Sequence, residues 1–163
     1  MSDQASLSGR YATALFGLAC DNQQIDAVSR SLESLSRALA ESPDLARLVS
    51  SPLVQRNDAD RAMAALAPTL QIDPLTANFL GVLATNGRLH ELGKIIASIR
   101  ALAAAHLIAT ARAMGLTRVS LETGNSPLFA AANRLYQRQG FEPSDAFGDY
   151  PDSPFTLFYS RAL

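Results

Sequence analysis

Apolar residues recur at three- and four-residue spacing through most of the first 114 positions, the periodicity of helices that bury one stripe. Over residues 6–20 the stripe is Leu7, Tyr11, Ala14, Leu15 and Leu18. Over 23–41, Ile25, Val28, Leu32, Leu35 and Leu39 alternate three and four apart, the pattern of a helix packed against neighbours. Ser42-Pro43 supplies a cap and a first-turn proline for a short third helix ending near Val49, and Ser51-Pro52 breaks the chain. A fourth helix over 58–70 buries Ala62, Met63 and Leu66. Asp73-Pro74 opens a fifth, which carries Phe79, Leu80, Val82 and Leu83 and stops at Asn86-Gly87. A sixth starts near His90 and meets no stop signal before Gly115, with Leu92, Ile95, Ile96, Ile99, Leu102, Ala103, Leu107, Ala111 and Met114 in one phase. At ~1.5 Å per residue it is a rod of roughly 37 Å.

Beyond Gly115 the period changes. Arg118-Val119-Ser120-Leu121-Glu122 alternates as a strand does. Ser126-Pro127 caps a seventh helix whose buried stripe is Leu128, Ala131, Ala132, Leu135 and Tyr136, and Gly140 ends it. Residues 142–154 read as a loop and 155–159 as a last short strand. The fold expected is mostly α: a six-helix bundle with a long last helix running into a small α/β strand-helix-strand appendage. The domains expected are 1–105 and 106–163. The strands at Val119 and Phe155 pair with each other and cover one face with the seventh helix. Their free edges invite self-association.

Composition narrows the function classes. The 163 residues are 48% hydrophobic with a formal net charge of −1, and no basic excess marks a nucleic-acid surface. Cys20 is the only cysteine, so no intrachain disulfide forms, which suits a cytoplasmic location. Met1 to Ser8 is polar and has no apolar signal core. The run from Ala101 to Ala109 is interrupted by His106 and is too short to span a bilayer, so a soluble protein without membrane insertion is expected. His90 and His106 have no cysteine or paired acid at ligand spacing, so no metal site is expected. Cys20 reads as a small apolar residue at a helix end, and Ser120 and Ser126 lack a nucleophile-elbow context. Asp145, Asp149 and Asp152 read as a solvated acidic loop. No cofactor is expected.

Residues 5 to about 105 resemble the N-terminal domain of the δ subunit of bacterial F-type ATP synthase, the homologue of the mitochondrial oligomycin-sensitivity protein. The carriers are Arg10-Tyr11-Ala12-x-Ala14-Leu15-Phe16, Ser51-Pro52, Asn78-Phe79-Leu80 and Asn86-Gly87-Arg88-Leu89, in this order and spacing. The resemblance implies a six-helix bundle on the crown of the catalytic head. It also implies a groove between the first and fifth helices that receives the N-terminal helix of an α subunit, a helix-in-groove mode driven by apolar anchors. The matching positions are Tyr11, Ala14, Leu15, Leu18, Phe79 and Val82. Each of them also reads as an ordinary core residue. The family's C-terminal domain, which tethers the head to the peripheral stalk, has no counterpart after about His106. The stator function implied is therefore incomplete, and the location implied is cytoplasmic and peripheral to the inner membrane through the synthase head.

Residues from about 107 to 163 resemble the C-terminal half of a GNAT-family N-acetyltransferase. The carriers are Ala111-Arg112-Ala113-Met114-Gly115, Arg118 to Gly124, Leu135-Tyr136-x-x-x-Gly140-Phe141 and Phe147-Gly148-Asp149-Tyr150. The resemblance gives Tyr136 the role of protonating a departing coenzyme A thiolate, while on the residues alone Tyr136 is a half-buried member of a helix stripe. No Arg/Gln-x-x-Gly-x-Gly/Ala run precedes Leu107 to bind the pyrophosphate of acetyl-CoA, and the family's first four strands have no counterpart. An asparagine common seven residues before the tyrosine is Phe129 here. Three readings follow, in order: a non-catalytic δ-like binding module, a fusion (artificial or recombined) without a selected function, and an acetyltransferase fragment inactive unless its other half is supplied.

Overall fold

The computed structural model describes residues 6–51, 53–149 and 153–163. Pro52, Tyr150 and Asp152, each named in a motif or loop above, lie outside the described residues, as does the side chain of Leu128. The chain divides into two compact units, Met1–Leu102 and Ala103–Leu163.

The first unit is helical: α1 (Leu7–Asp21), α2 (Ile25–Glu41), α3 (Pro43–Ser50), α4 (Arg56–Thr69), α5 (Pro74–Thr85), a 3-10 turn (Leu89–Glu91) and the start of α6 (Leu92–Ala113). Its core joins Leu15, Val28, Leu32, Leu35, Met63, Leu80, Leu83, Leu92, Ile95 and Ile99, all buried. These are the periodic positions of the sequence, and burying them is the main favourable term in folding. Two expectations shift. The chain enters α6 through the 3-10 turn rather than in a continuous helix from His90. Leu107 and Met114 are exposed, because the buried positions at that end of α6 are Ile108 and Ala111.

Among the described residues, Leu89–Ala113 is long and apolar enough to cross a membrane by length and composition, contrary to the expectation drawn from Ala101 to Ala109. Leu92, Ile95, Ile96 and Ile99 are however buried in the helical unit's core, as in the central helix of a globular bundle.

The second unit holds β1 (Arg118–Gly124), a 3-10 turn (Pro127–Phe129), α7 (Ala130–Arg138), β2 (Glu142–Pro143) and β3 (Thr156–Ala162). The sheet order is β1-β3-β2, antiparallel, with Leu121 opposite Tyr159 and Pro143 opposite Tyr159 on the other side. The expected pairing of the two strands is present. The loop over 142–154 contributes a third short strand, and the last strand lies at Thr156–Ala162, leaving Phe155 exposed. The seventh helix starts later than expected: Ser126 makes no side-chain cap, and the chain takes a 3-10 turn first. Ala131, placed in its buried stripe by periodicity, is exposed, and Leu135 is the buried residue of α7. A small cluster of Ile108, Phe141 and Tyr159 forms this unit's core, with Val119, Leu121 and Tyr136 against it.

Candidate functional site

Helix α1 buries Ser8, Ala12, Leu15 and Ala19, and α5 buries Thr76, Leu80, Leu83 and Ala84. At ~100° per residue, Tyr11 and Leu18 fall on a shoulder of α1 beside that buried face, and Ala14 lies further round toward solvent. Phe79 falls on a shoulder of α5, and Val82 lies one turn on and further round toward solvent. The two shoulders meet where the Tyr11 and Phe79 rings pack edge to face, with centroids 6.2 Å apart and an interplanar angle of 71°. Both rings are half-buried, and Ala14 is exposed. Leu18 and Val82 each keep 49% of their surface in solvent, which is high for large aliphatic residues on packed helices. Leu15 has no exposed surface and belongs to the core beneath the strip.

Local chemistry fixes both helices. Ser6 caps α1 by accepting the Gly9 N–H at 3.0 Å. Asp73 caps α5, its Oδ1 accepting the N–H groups of Leu75 at 2.9 Å and Thr76 at 3.0 Å, ahead of Pro74 in the first turn. Ser31 on α2 accepts the Asp73 N–H at 2.8 Å. Burial raises the Asp73 pKa, but the Thr76 and Ser31 hydroxyls and the N–H groups of Thr76 and Leu75 together outweigh it and hold the carboxyl below its ordinary value. At the other end of α5, Gly87 takes φ +65° and the Arg88 N–H reaches back to the Leu83 carbonyl at 2.7 Å, a glycine-terminated helix end. The Ser8 hydroxyl donates to Glu91 Oε2 at 2.6 Å, tying α1 to the turn beyond α5. That bond, helped by Lys94, holds the Glu91 pKa below its ordinary value against partial burial.

The family described as the ATP synthase delta (OSCP) subunit matches residues 7–113, from the first residue of α1 to the last of α6. This chain belongs to that family. Delta (OSCP) subunits are structural stator parts and not enzymes. The chain is 63% identical over 103 residues to ATP synthase subunit delta of Rhizorhabdus wittichii, covering 63% of this chain and 56% of that protein. It is 46% identical over 102 residues to the Erythrobacter litoralis subunit, covering 63% and 55%. The chain thus spans about half the length of these curated delta relatives. A chain in the cryo-EM structure of the Toxoplasma gondii mitochondrial ATP synthase hexamer aligns with a TM-score of 0.55 at 27% identity, covering 69% of this chain and 74% of that one. The delta match continues past His106 to the end of α6 and stops before β1.

In the second unit, Tyr136 is half-buried and packs edge to face on Phe141, centroids 6.0 Å apart. Asn133 brackets the end of β1: its Oδ1 accepts the Thr123 hydroxyl at 3.0 Å and its Nδ2 donates to the Gly124 carbonyl at 3.1 Å. Asn133, Ser8, Glu91 and Ser31 carry no sequence motif here. Ser8 and Glu91 are 83 residues apart, so nothing local announces their bond.

Proposed function

We propose that the helical unit is a non-catalytic receiving module of an F-type ATP synthase, taking the amphipathic N-terminal helix of an α subunit along the seam of α1 and α5. The observation that carries this is the contact of the two helices: Tyr11 and Phe79 in ring contact, with half-exposed Leu18 two turns on along α1 and half-exposed Val82 one turn on along α5. Large aliphatics left half in water beside an aromatic floor suit the i, i+3, i+4 anchors of a docking helix. Ala14, small and exposed, permits close approach of a partner backbone, and Leu15 supports the strip from below. In this reading the protein works without a cofactor at the periphery of the inner membrane, on its cytoplasmic side, held there through the synthase head.

Calorimetric titration of the full chain with a peptide of an α-subunit N-terminal helix tests the proposal. Saturable binding lost in Val82→Asp, a change at an exposed position, is the result expected. Absence of saturation in a folded sample would refute it.

For residues 103–163 the reading is a folded appendage that resembles an acetyltransferase half in sequence without carrying out transfer. It is favoured by the packed state of Tyr136 against Phe141. A thermal shift of several degrees with acetyl-CoA would contradict it and revive the fragment reading. No shift there together with no peptide binding leaves a fusion without a selected function.

A further inference from the structure

The hydrogen bonds flanking the β1–β3 ladder set which residues of β1 face β3. The Leu163 N–H donates to the Thr117 carbonyl at 3.0 Å, and the Asn125 N–H donates to the Phe155 carbonyl at 2.9 Å. Residues facing the partner alternate along an antiparallel strand. Val119, Leu121 and Thr123 therefore turn their N–H and C=O groups to β3, and Arg118, Ser120, Glu122 and Gly124 turn theirs away. The Gly124 carbonyl is taken by Asn133. Because β3 lies between β1 and β2, the other side of β1 is a sheet edge. Among the described residues, no backbone group hydrogen-bonds to the outward N–H and C=O groups of Arg118, Ser120 and Glu122.

We propose that this edge pairs with the same edge of a second copy of the chain, antiparallel, about a two-fold axis through Ser120. Three independent features select that register. An axis through any residue sets outward groups against outward groups, whereas an axis between two residues sets them against groups already used by β3. With the axis at Ser120, Arg118 lies opposite the partner's Glu122 and Glu122 opposite the partner's Arg118, so opposite charges face each other twice. Moving the axis to Leu121 puts Arg118 opposite Gly124 and Ser120 opposite Glu122, and both charged pairs are lost.

The third feature is the other face. Val119 and Leu121 pack on the Ile108, Phe141 and Tyr159 cluster. In the Ser120 register each Val119 lies opposite a Leu121, so the apolar faces of the two sheets run on into each other. Each outward pair exchanges both N–H···O bonds, roughly six bonds across the seam. A three-stranded sheet in each copy becomes one continuous antiparallel sheet, which removes the unpaired edge that makes isolated small sheets prone to uncontrolled association. This inference does not depend on the seam of α1 and α5.

Sedimentation equilibrium of the full chain tests it, with circular dichroism on each variant as a folding control. The wild type dimerises. Glu122→Lys alone and Arg118→Glu alone each set like charges opposite each other twice and weaken the dimer by roughly tenfold or more. An equimolar mixture of the two folded variants regains wild-type affinity, because each charge-reversed copy complements the other. Unfolded variants cannot produce that recovery. A wild type that stays monomeric to several hundred micromolar overturns the proposal. So does a dimer indifferent to both single reversals, or folded variants whose mixture does not associate.

Discussion

Asp73 sits at the first residue before α5 with two backbone N–H groups on one carboxylate oxygen. Its Asp-Pro signature is legible in the sequence, but its second support, Ser31, is 42 residues away and is not. Asp73→Ala should destabilise the helical unit by ~1 kcal/mol at pH 7, read by urea denaturation. The folded pKa lies below the ordinary value of 3.8. A lowered carboxylate pKa stabilises fully above the ordinary value and is lost as pH falls through the folded one. The difference between wild type and Asp73→Ala should therefore be constant from pH 7 to about 5 and shrink below about 4. A gap that widens in acid would contradict the assignment. In the second unit, a Cβ at Gly124 would overlap the Phe129 ring. Gly124→Ala should cost about 1–3 kcal/mol, and adding Phe129→Ala should recover part of it in thermal melts.

At the scale of elements, helical periodicity located all of α1 to α5 within a few residues, because each buries one stripe against a single core. At the far end of α6 it placed Ala111 correctly in the buried stripe but misplaced Leu107 and Met114. Apolar residues at Leu107 and Met114 continue the phase of Leu92 and Ile99, but what is buried there depends on which unit the helix packs in, and that is tertiary information. Strand β2 was hidden for a related reason: two residues, one of them a proline, have no period to read, and they count as strand only because β3 lies alongside. The Asn86-Gly87 stop was legible because only glycine takes φ +65° cheaply. Gly87→Ala should lower stability by roughly 1–2 kcal/mol while leaving peptide affinity at the seam unchanged, checked by denaturation and calorimetry on one sample. The shoulder of α1 and α5 was legible only as a set of positions. That Leu15 faces inward while Leu18 and Val82 face water required the packed helices.

The whole molecule has two units of unequal resources. The helical unit has an extended buried core, and the second rests on Ile108, Phe141 and Tyr159 with a few half-buried neighbours. At concentrations where the chain is monomeric, amide exchange should accordingly be slow across α1–α5 and faster in β1, α7 and β3, so that a single two-state unfolding transition is not expected. Uniform protection along the chain would show that the two units are stabilised together. The delta family covers the first unit, and the reading of function rests on its exposed seam. The most direct test of that seam is methyl NMR of the full chain during titration with the α-subunit helix peptide. Saturating shifts are expected at Ala14, Leu18 and Val82, with smaller ones at Leu15 and none at Val119 or Leu121. Shifts confined to other surfaces, or no shifts at peptide concentrations well above the chain's, would contradict it.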